Sequence, residues 1–437
     1  MQSLASRELT SRQLIESCLA SIERPDGEGS RAYLKTHASA ACASADRYDE
    51  ARRAGAPVPR YAGIPISVKD LFDLEGDVTT AGSRVLKNAA PATRDAEAVS
   101  RLKAAGFIVM GRTNMTEFAY SGLGLNPHYG TPLAPWDRTS QRISGGSSSG
   151  GAVSVTDAMA VAALGTDTGG SCRIPAAFCG IVGFKPTAGR VSAQGAFPLS
   201  RTLDSIGTLA NSVACCAILD AVLACEPTDC TPLELKKLRL GVLNSYVTED
   251  MQADVAAAYS RALKRIAATG VSLVDFSLPE LQELPDINAK GGFAAVESYA
   301  LHRKLIATHA SEYDPRVLSR ILRGREQSEE DVRELHRRRS ALIDRVQPRL
   351  QALDAWLMPS VPITAPRLSE FDTDTTYARL NALVLRNPSV VNFLDGCAIS
   401  VPCQDIGEAP VGLTVAGMRG ADRKILAVAA GVEACLA

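Results

Sequence analysis

Two glycine-flanked serine runs dominate this chain: Gly145-Gly146-Ser147-Ser148-Ser149-Gly150-Gly151 and Gly165-Thr166-Asp167-Thr168-Gly169-Gly170-Ser171. Counted from Ser147 to Ser171 they stand 24 residues apart. Packing alone is a poor explanation for such runs. Glycine admits positive φ, so successive N–H groups of a glycine-rich loop can converge on one point. A serine closing that loop is placed to attack a carbonyl while the N–H groups hold the oxyanion. Between the runs, 152–159 suits a short helix and 160–164 a short strand.

The same alternation extends along the chain. Thr10 or Ser11 caps a helix with the apolar stripe Leu14, Ile15, Cys18, Leu19 and Ile22. An alanine-rich helix covers 38–54. Residues 63–70 read as a strand with Ile64, Ile66 and Val68 on one side and Ser67 and Lys69 on the other. Helix 95–103, strand 107–110, strand 181–184 and helix 213–224 follow. Strand 240–243, helix 251–268 and strand 271–276 form a β-α-β pattern. Strands return at 356–359, 398–402 and 411–416, before a closing helix to 436. The pattern predicts an α/β fold with a mixed, largely parallel central β-sheet covered by helices on both faces. Without a linker or internal repeat, 1–437 reads as a single domain, with a helical segment at about 292–353 covering the core.

Charge and composition exclude several partners. With 47 basic against 48 acidic residues there is no electrostatic footprint for nucleic acid. Arg337-Arg338-Arg339 lies in a Glu-rich helical stretch and reads as a solvated face. No run of 18 apolar residues suggests a membrane span, and the N-terminus lacks a basic-then-apolar leader, so the expectation is a cytoplasmic protein. Eleven scattered cysteines contain no C-x-x-C pair and read as reduced, mostly buried thiols. No His, Asp or Glu grouping has metal spacing, and no phosphate-binding glycine motif is complete, so neither metal nor cofactor is expected.

A serine nucleophile needs a base. Histidine is the usual one. Of the five histidines, His302, His309 and His336 fall in charge-rich helical stretches, where surface positions are expected, and His128 lies in the loop Asn126-Pro127-His128-Tyr129-Gly130. Gly146-Ser147-Ser148-Ser149-Gly150 fits G-x-S-x-G, but the polar segment before it is not the apolar strand that a Ser-His-Asp esterase elbow requires. A lysine can replace histidine when burial beside hydroxyls makes its neutral amine accessible. Lys69, ending an apolar strand, suits that role. A strand-end lysine is also an ordinary solvent-facing charge, and a glycine pair also marks a tight turn, so the residues leave both readings open.

The longer motifs resolve this by resemblance. Gly63-Ile64-Pro65 through Lys69-Asp70, the run from Gly111 to Phe118, Asn126 to Gly130, Gly145 to Gly151, Ala163 to Ser171, Arg173 to Ala177 and Gly180 to Thr187 resemble the amidase signature family over nearly the whole chain. The resemblance implies Lys69 as general base and then acid, Ser171 as nucleophile and Ser147 as the serine relaying the proton, following a cis peptide. It implies an oxyanion hole from Thr168, Gly169, Gly170 and the Ser171 amide, framed by Asp167 and Arg173. Met115, His128 and Cys172 are candidate substrate contacts, and pocket residues are expected from 115–130, the helical segment and 360–395. The chain departs from the family in its three-serine run, which leaves Ser148 and Ser149 as rivals to Ser147, in Cys172 after the nucleophile, and in Gln141-Arg142-Ile143 before the first run.

The function implied is hydrolysis of a small or medium carboxamide or urea-like substrate through a Ser-Ser-Lys acyl-enzyme, with no metal or cofactor and with homodimerisation as a family-level expectation. A glutamine-hydrolysing amidase component of a transamidosome, with a protein partner, is the alternative. A non-catalytic scaffold and a Ser-His-Asp esterase rank below it.

Overall fold

A computed structural model of the chain describes residues 2–228 and 231–436. Cys230 lies outside the described residues. Among the described residues, eleven strands form one sheet: β1 (Tyr33–Thr36), β2 (Pro65–Lys69), β3 (Ile108–Thr113), β4 (Ala162–Asp167), β5 (Val182–Lys185), β6 (Ser205–Ala210), β7 (Arg239–Leu243), β8 (Ser272–Phe276), β9 (Ala355–Pro359), β10 (Cys397–Pro402) and β11 (Gly412–Gly417). Their spatial order is β1-β3-β2-β4-β6-β5-β10-β11-β9-β7-β8.

The sheet is mixed, as the alternation predicts, but its balance differs. Among the described residues, β2 pairs in parallel with β3 and β4, and β7 with β8 and β9. The other six pairings are antiparallel, so "largely parallel" is corrected. Half of those six come from β1 and β6, which periodicity does not reveal. β1 is four residues long, and β6 (Ser-Ile-Gly-Thr-Leu-Ala) is buried throughout, so neither shows apolar-polar alternation.

The helices arise where the sequence places them. Thr10 caps Ser11–Glu23 with a reciprocal capping box through Gln13. Val213–Ala224 begins at a Ser212 cap. The helical segment resolves into Gly292–His309, Pro315–Leu322 and Glu329–Gln351. A further helix, Asp374–Phe393, runs through an interior Pro388 and is not signalled by the sequence pattern. Its buried Tyr377, Leu380, Asn381, Val384, Asn387 and Val391 recur at three- and four-residue steps, the face turned to the core. Arg337 is solvated on Glu329–Gln351 as expected, but Arg338 is half-buried and pairs with Asp286 at 2.8 Å, and Arg339 turns inward and donates from Nε to the Phe393 carbonyl at 2.9 Å. Among the described residues no helix is long and apolar enough to cross a membrane.

Candidate active site

β2 and β4 run in parallel, with Val68 opposite Leu164, so their C-terminal ends emerge side by side. That register brings Lys69, the last residue of β2, beside the end of β4, where its side chain can reach Thr166. Both faces of β2 are covered, and Lys69 is fully buried. Its Nζ donates to Ser147 Oγ at 2.8 Å and to Thr166 Oγ1 at 2.9 Å. Burial removes the water that would stabilise the ammonium and pulls Lys69 down to about 8 from 10.5, the Asp167 and Asp204 charges opposing only in part. The solvent-facing alternative for Lys69 is therefore excluded.

Of the three rival serines, Ser147 is the one in contact with Lys69. The Gly146–Ser147 peptide is cis. Ser148 and Ser149 direct their hydroxyls at the carbonyls of Thr166 and Asn114, and Ser149 opens the helix Ser149–Thr156. The Ser148 amide donates to the Ser171 carbonyl at 3.2 Å, which ties the two serine runs together.

The second run wraps around Asp167. This carboxylate accepts from the amides of Gly170 (2.8 Å) and Cys172 (3.1 Å), from Arg173 Nε and Nη2 (3.1 and 2.9 Å) and from Asn392 Nδ2 (2.9 Å). Burial opposes its ionisation, but the Arg173 guanidinium outweighs this and holds the carboxyl well below the usual range. Arg173 is equally buried and also reaches the Pro388 carbonyl and Asn392 Oδ1. Breaking such a pair leaves an uncompensated buried charge, at a cost of about 3–5 kcal/mol. Gly170 has φ +127°, and a Cβ there would stand 2.6 Å from Pro388 Cγ, so only glycine closes the loop this tightly.

Ser171 is 4% exposed, and its exposed edge opens with Thr168 and Gly169 onto a cavity of about 1010 Å³. Phe293 and Ala294 of the helix Gly292–His309 form one wall, Leu385 and Ser389 of Asp374–Phe393 another. Tyr120 and Arg320 face the same space. The Arg320 guanidinium lies 4.6 Å from the Tyr120 ring centroid, and its buried Nε has no hydrogen-bond partner among the described residues.

Several expected contacts lie elsewhere. Met115 is wholly buried in the core and does not line the cavity. His128 bonds through Nε2 to the buried Glu117 at 2.8 Å and braces the loop, away from the cavity. Cys172 points into the core beneath the loop, where burial pushes its thiol up to about 12. Gly170 differs from its expected place among the oxyanion donors, because its N–H is directed at Asp167. His302 is buried rather than at the surface: it meets Phe118 edge-to-face with ring centroids 4.3 Å apart and bonds Tyr313, and burial lowers it to about 4. It contacts no serine of either run. Sequence reasoning assigns no role to Thr166, Asn392 or Arg320. Thr166 lies within the second glycine run but only strand pairing sets it beside Lys69, and Arg320 and Asn392 fall in the expected pocket stretches, where no local motif marks them.

The comparisons with known proteins agree with this fold. A family profile described as Amidase matches residues 13–426. The 2-amino-5-chloromuconic acid deaminase of Comamonas testosteroni is 35% identical, with 99% of this chain and 94% of that protein covered. A component of the glutamyl-tRNA(Gln) amidotransferase from Synechococcus sp. (strain WH7803) is 32% identical, covering 95% of this chain and 92% of that protein. A solved amidase crystal structure superposes with a TM-score of 0.90 at 32% identity, over 100% of this chain and 98% of that one. This chain belongs to the Amidase family, the amidase signature enzymes.

Proposed function

We propose that this protein hydrolyses the amide bond of a small carboxylate-bearing molecule, acting as one domain with Ser171 as nucleophile, Ser147 as relay and Lys69 as base. The observation that carries the chemistry is the buried Lys69 amine held between two hydroxyls. Neutral Lys69 accepts the Ser147 proton as Ser147 accepts that of Ser171. Ser171 Oγ bonds to the carbonyl carbon, and the negative charge on oxygen meets the amides of Thr168, Gly169 and Ser171. The C–N bond then breaks, and the proton returns through Ser147 to the departing nitrogen, which leaves as ammonia or amine. Water then gives a proton to the relay as it attacks the acyl ester, the C–Oγ bond breaks, and Ser171 Oγ takes that proton back as the carboxylic acid leaves.

Arg320 supports the substrate class. Its guanidinium has a ring on one face and no carboxylate within 4.0 Å among the described residues, so its N–H fork is available to a bidentate acid on the cavity side. The name of the deaminase relative carries an acid as well. The likeness to the amidotransferase component favours one further reading, glutamine as the amide, with a protein partner taking the ammonia.

Ammonia release across matched pairs of amides, each with a free carboxylate or its methyl ester, tests the proposal. The carboxylates should be preferred at least about tenfold, and a fluorophosphonate should label Ser171. No labelling together with no ammonia from any amide would sink the hydrolase reading. Activity on glutamine alone, appearing only with a co-purified partner, would select the second reading.

A further inference from the structure

β6 pairs antiparallel with β4 so that Ser205 stands opposite Asp167. One step beyond that pair, the register sets Asp204 against Thr168, the first residue of the proposed oxyanion loop. Thr168 Oγ1 donates to Asp204 Oδ1 at 2.5 Å. The same carboxylate accepts from the amides of Leu199 (3.0 Å) and Ser200 (3.1 and 3.2 Å). Beside it, Ser205 Oγ donates to the Asp167 carbonyl at 2.9 Å. The 199–204 turn is held in turn by Glu297, which accepts from the Ser200 and Thr202 hydroxyls and from the Thr202 amide. Glu297 lies on Gly292–His309, the helix that brings Phe293 and Ala294 to the cavity.

Asp167 grips the loop from beneath through Gly170 and Cys172, but its side chain takes no bond from Thr168 or Gly169. Thr168 is gripped from the other side, by Asp204. An oxyanion donor is effective only if its N–H already points where charge develops, and a displacement of about 1 Å can cost on the order of 100-fold in rate. We infer that Asp204 is a positioning residue, which orients the Thr168 end of the oxyanion loop through the Thr168 hydroxyl and couples that loop to the cavity wall. The inference rests on Ser171 being the nucleophile.

Labelling of Ser171 by a fluorophosphonate reads this directly, since the phosphoryl oxygen takes the oxyanion's place as the P–F bond breaks and fluoride leaves. Maximal labelling rate and probe affinity are measured separately in wild type, Thr168→Val, Thr168→Ser, Asp204→Asn and the Asp204→Asn/Thr168→Val double variant. Thr168→Val and Asp204→Asn should each slow maximal labelling on the order of tenfold, with probe affinity within about twofold. Thr168→Ser, which keeps the hydroxyl, should recover most of the rate. The double variant should be little slower than the worse single, because both remove one interaction. A wild-type labelling rate in Thr168→Val, a Thr168→Ser variant as slow as Thr168→Val, or losses that multiply in the double would overturn the inference. If Asp204→Asn does not fold, the Thr168 pair decides alone. Failure to label wild type at all removes the nucleophile reading first, and this inference with it.

Discussion

Two lysines end strands in the core of this protein and meet different fates. Lys69 closes β2 and Lys185 closes β5; both are buried, and burial pulls each down to about 8, with Asp167 drawing both partly back up. Lys69 faces the hydroxyls of Ser147 and Thr166, whereas Lys185 donates to the carbonyls of Pro186 and Gly396, both at 2.7 Å. A hydroxyl accepts and also has a proton to give; a carbonyl only accepts. A neutral amine at Lys69 therefore finds a proton source beside it, and a neutral amine at Lys185 finds none. Desolvation makes a lysine able to lose its proton, but its neighbours decide whether that loss is chemistry or architecture.

The sharpest break of this contrast is to remove each lysine in turn. Lys69→Ala should lower kcat/KM for amide hydrolysis by at least about 10³-fold with the melting temperature nearly kept. Lys185→Met should instead leave two buried carbonyls without a donor and cost about 2–4 kcal/mol in urea unfolding. Its kcat per folded molecule should stay within about threefold of wild type. A Lys185 variant that folds but is as inactive as Lys69→Ala would erase the distinction.

Ser147→Ala sharpens the hydroxyl half of the argument. It should reduce kcat on the order of 100-fold while KM moves little, because the proposed relay acts only as the proton moves. Arg320→Gln should act the opposite way, raising KM for carboxylate-bearing amides on the order of tenfold or more and leaving their methyl esters unaffected.

The smallest expected effect is in pH. A base must be neutral to act, and burial pulls Lys69, the proposed base, down to about 8, so that it is protonated below that value. The rate should therefore rise with pH and level off above that value, with about tenfold between pH 7 and the plateau. Lys185→Met should leave this limb in place. A limb that moved with Lys185, or a profile flat from about pH 6 to 9, would assign the titration elsewhere.

The site is legible to the extent that its residues sit in continuous motifs. Lys69, Ser171 and the serine run that contains Ser147 can be singled out because glycine loops and a strand-end lysine are local signals. Met115, His128 and Cys172 are expected near substrate because they neighbour motif residues in the chain. The fold turns Met115 and Cys172 into the core and gives His128 to Glu117. Adjacency along a chain does not fix the direction of a side chain, since the backbone turns sharply at Ser171 as it enters the helix Arg173–Cys179. Arg320 and Asn392 lie in stretches without a signature, and the helix carrying Asn392 is hidden by a proline.

By itself the sequence determined that strands and helices alternate, that two glycine loops each present serines, and that Lys69 closes an apolar strand. These are consequences of short-range chemistry: side-chain period, backbone freedom and turn formation. Tertiary structure alone decided that Lys69 is buried, that Ser147 rather than Ser148 or Ser149 meets it, and that Asp204 lies across from Thr168. The first and the last depend on the register between strands distant in sequence, where a shift of one residue turns every side chain to the opposite face; the second depends on how the loop before the helix Ser149–Thr156 packs over β2.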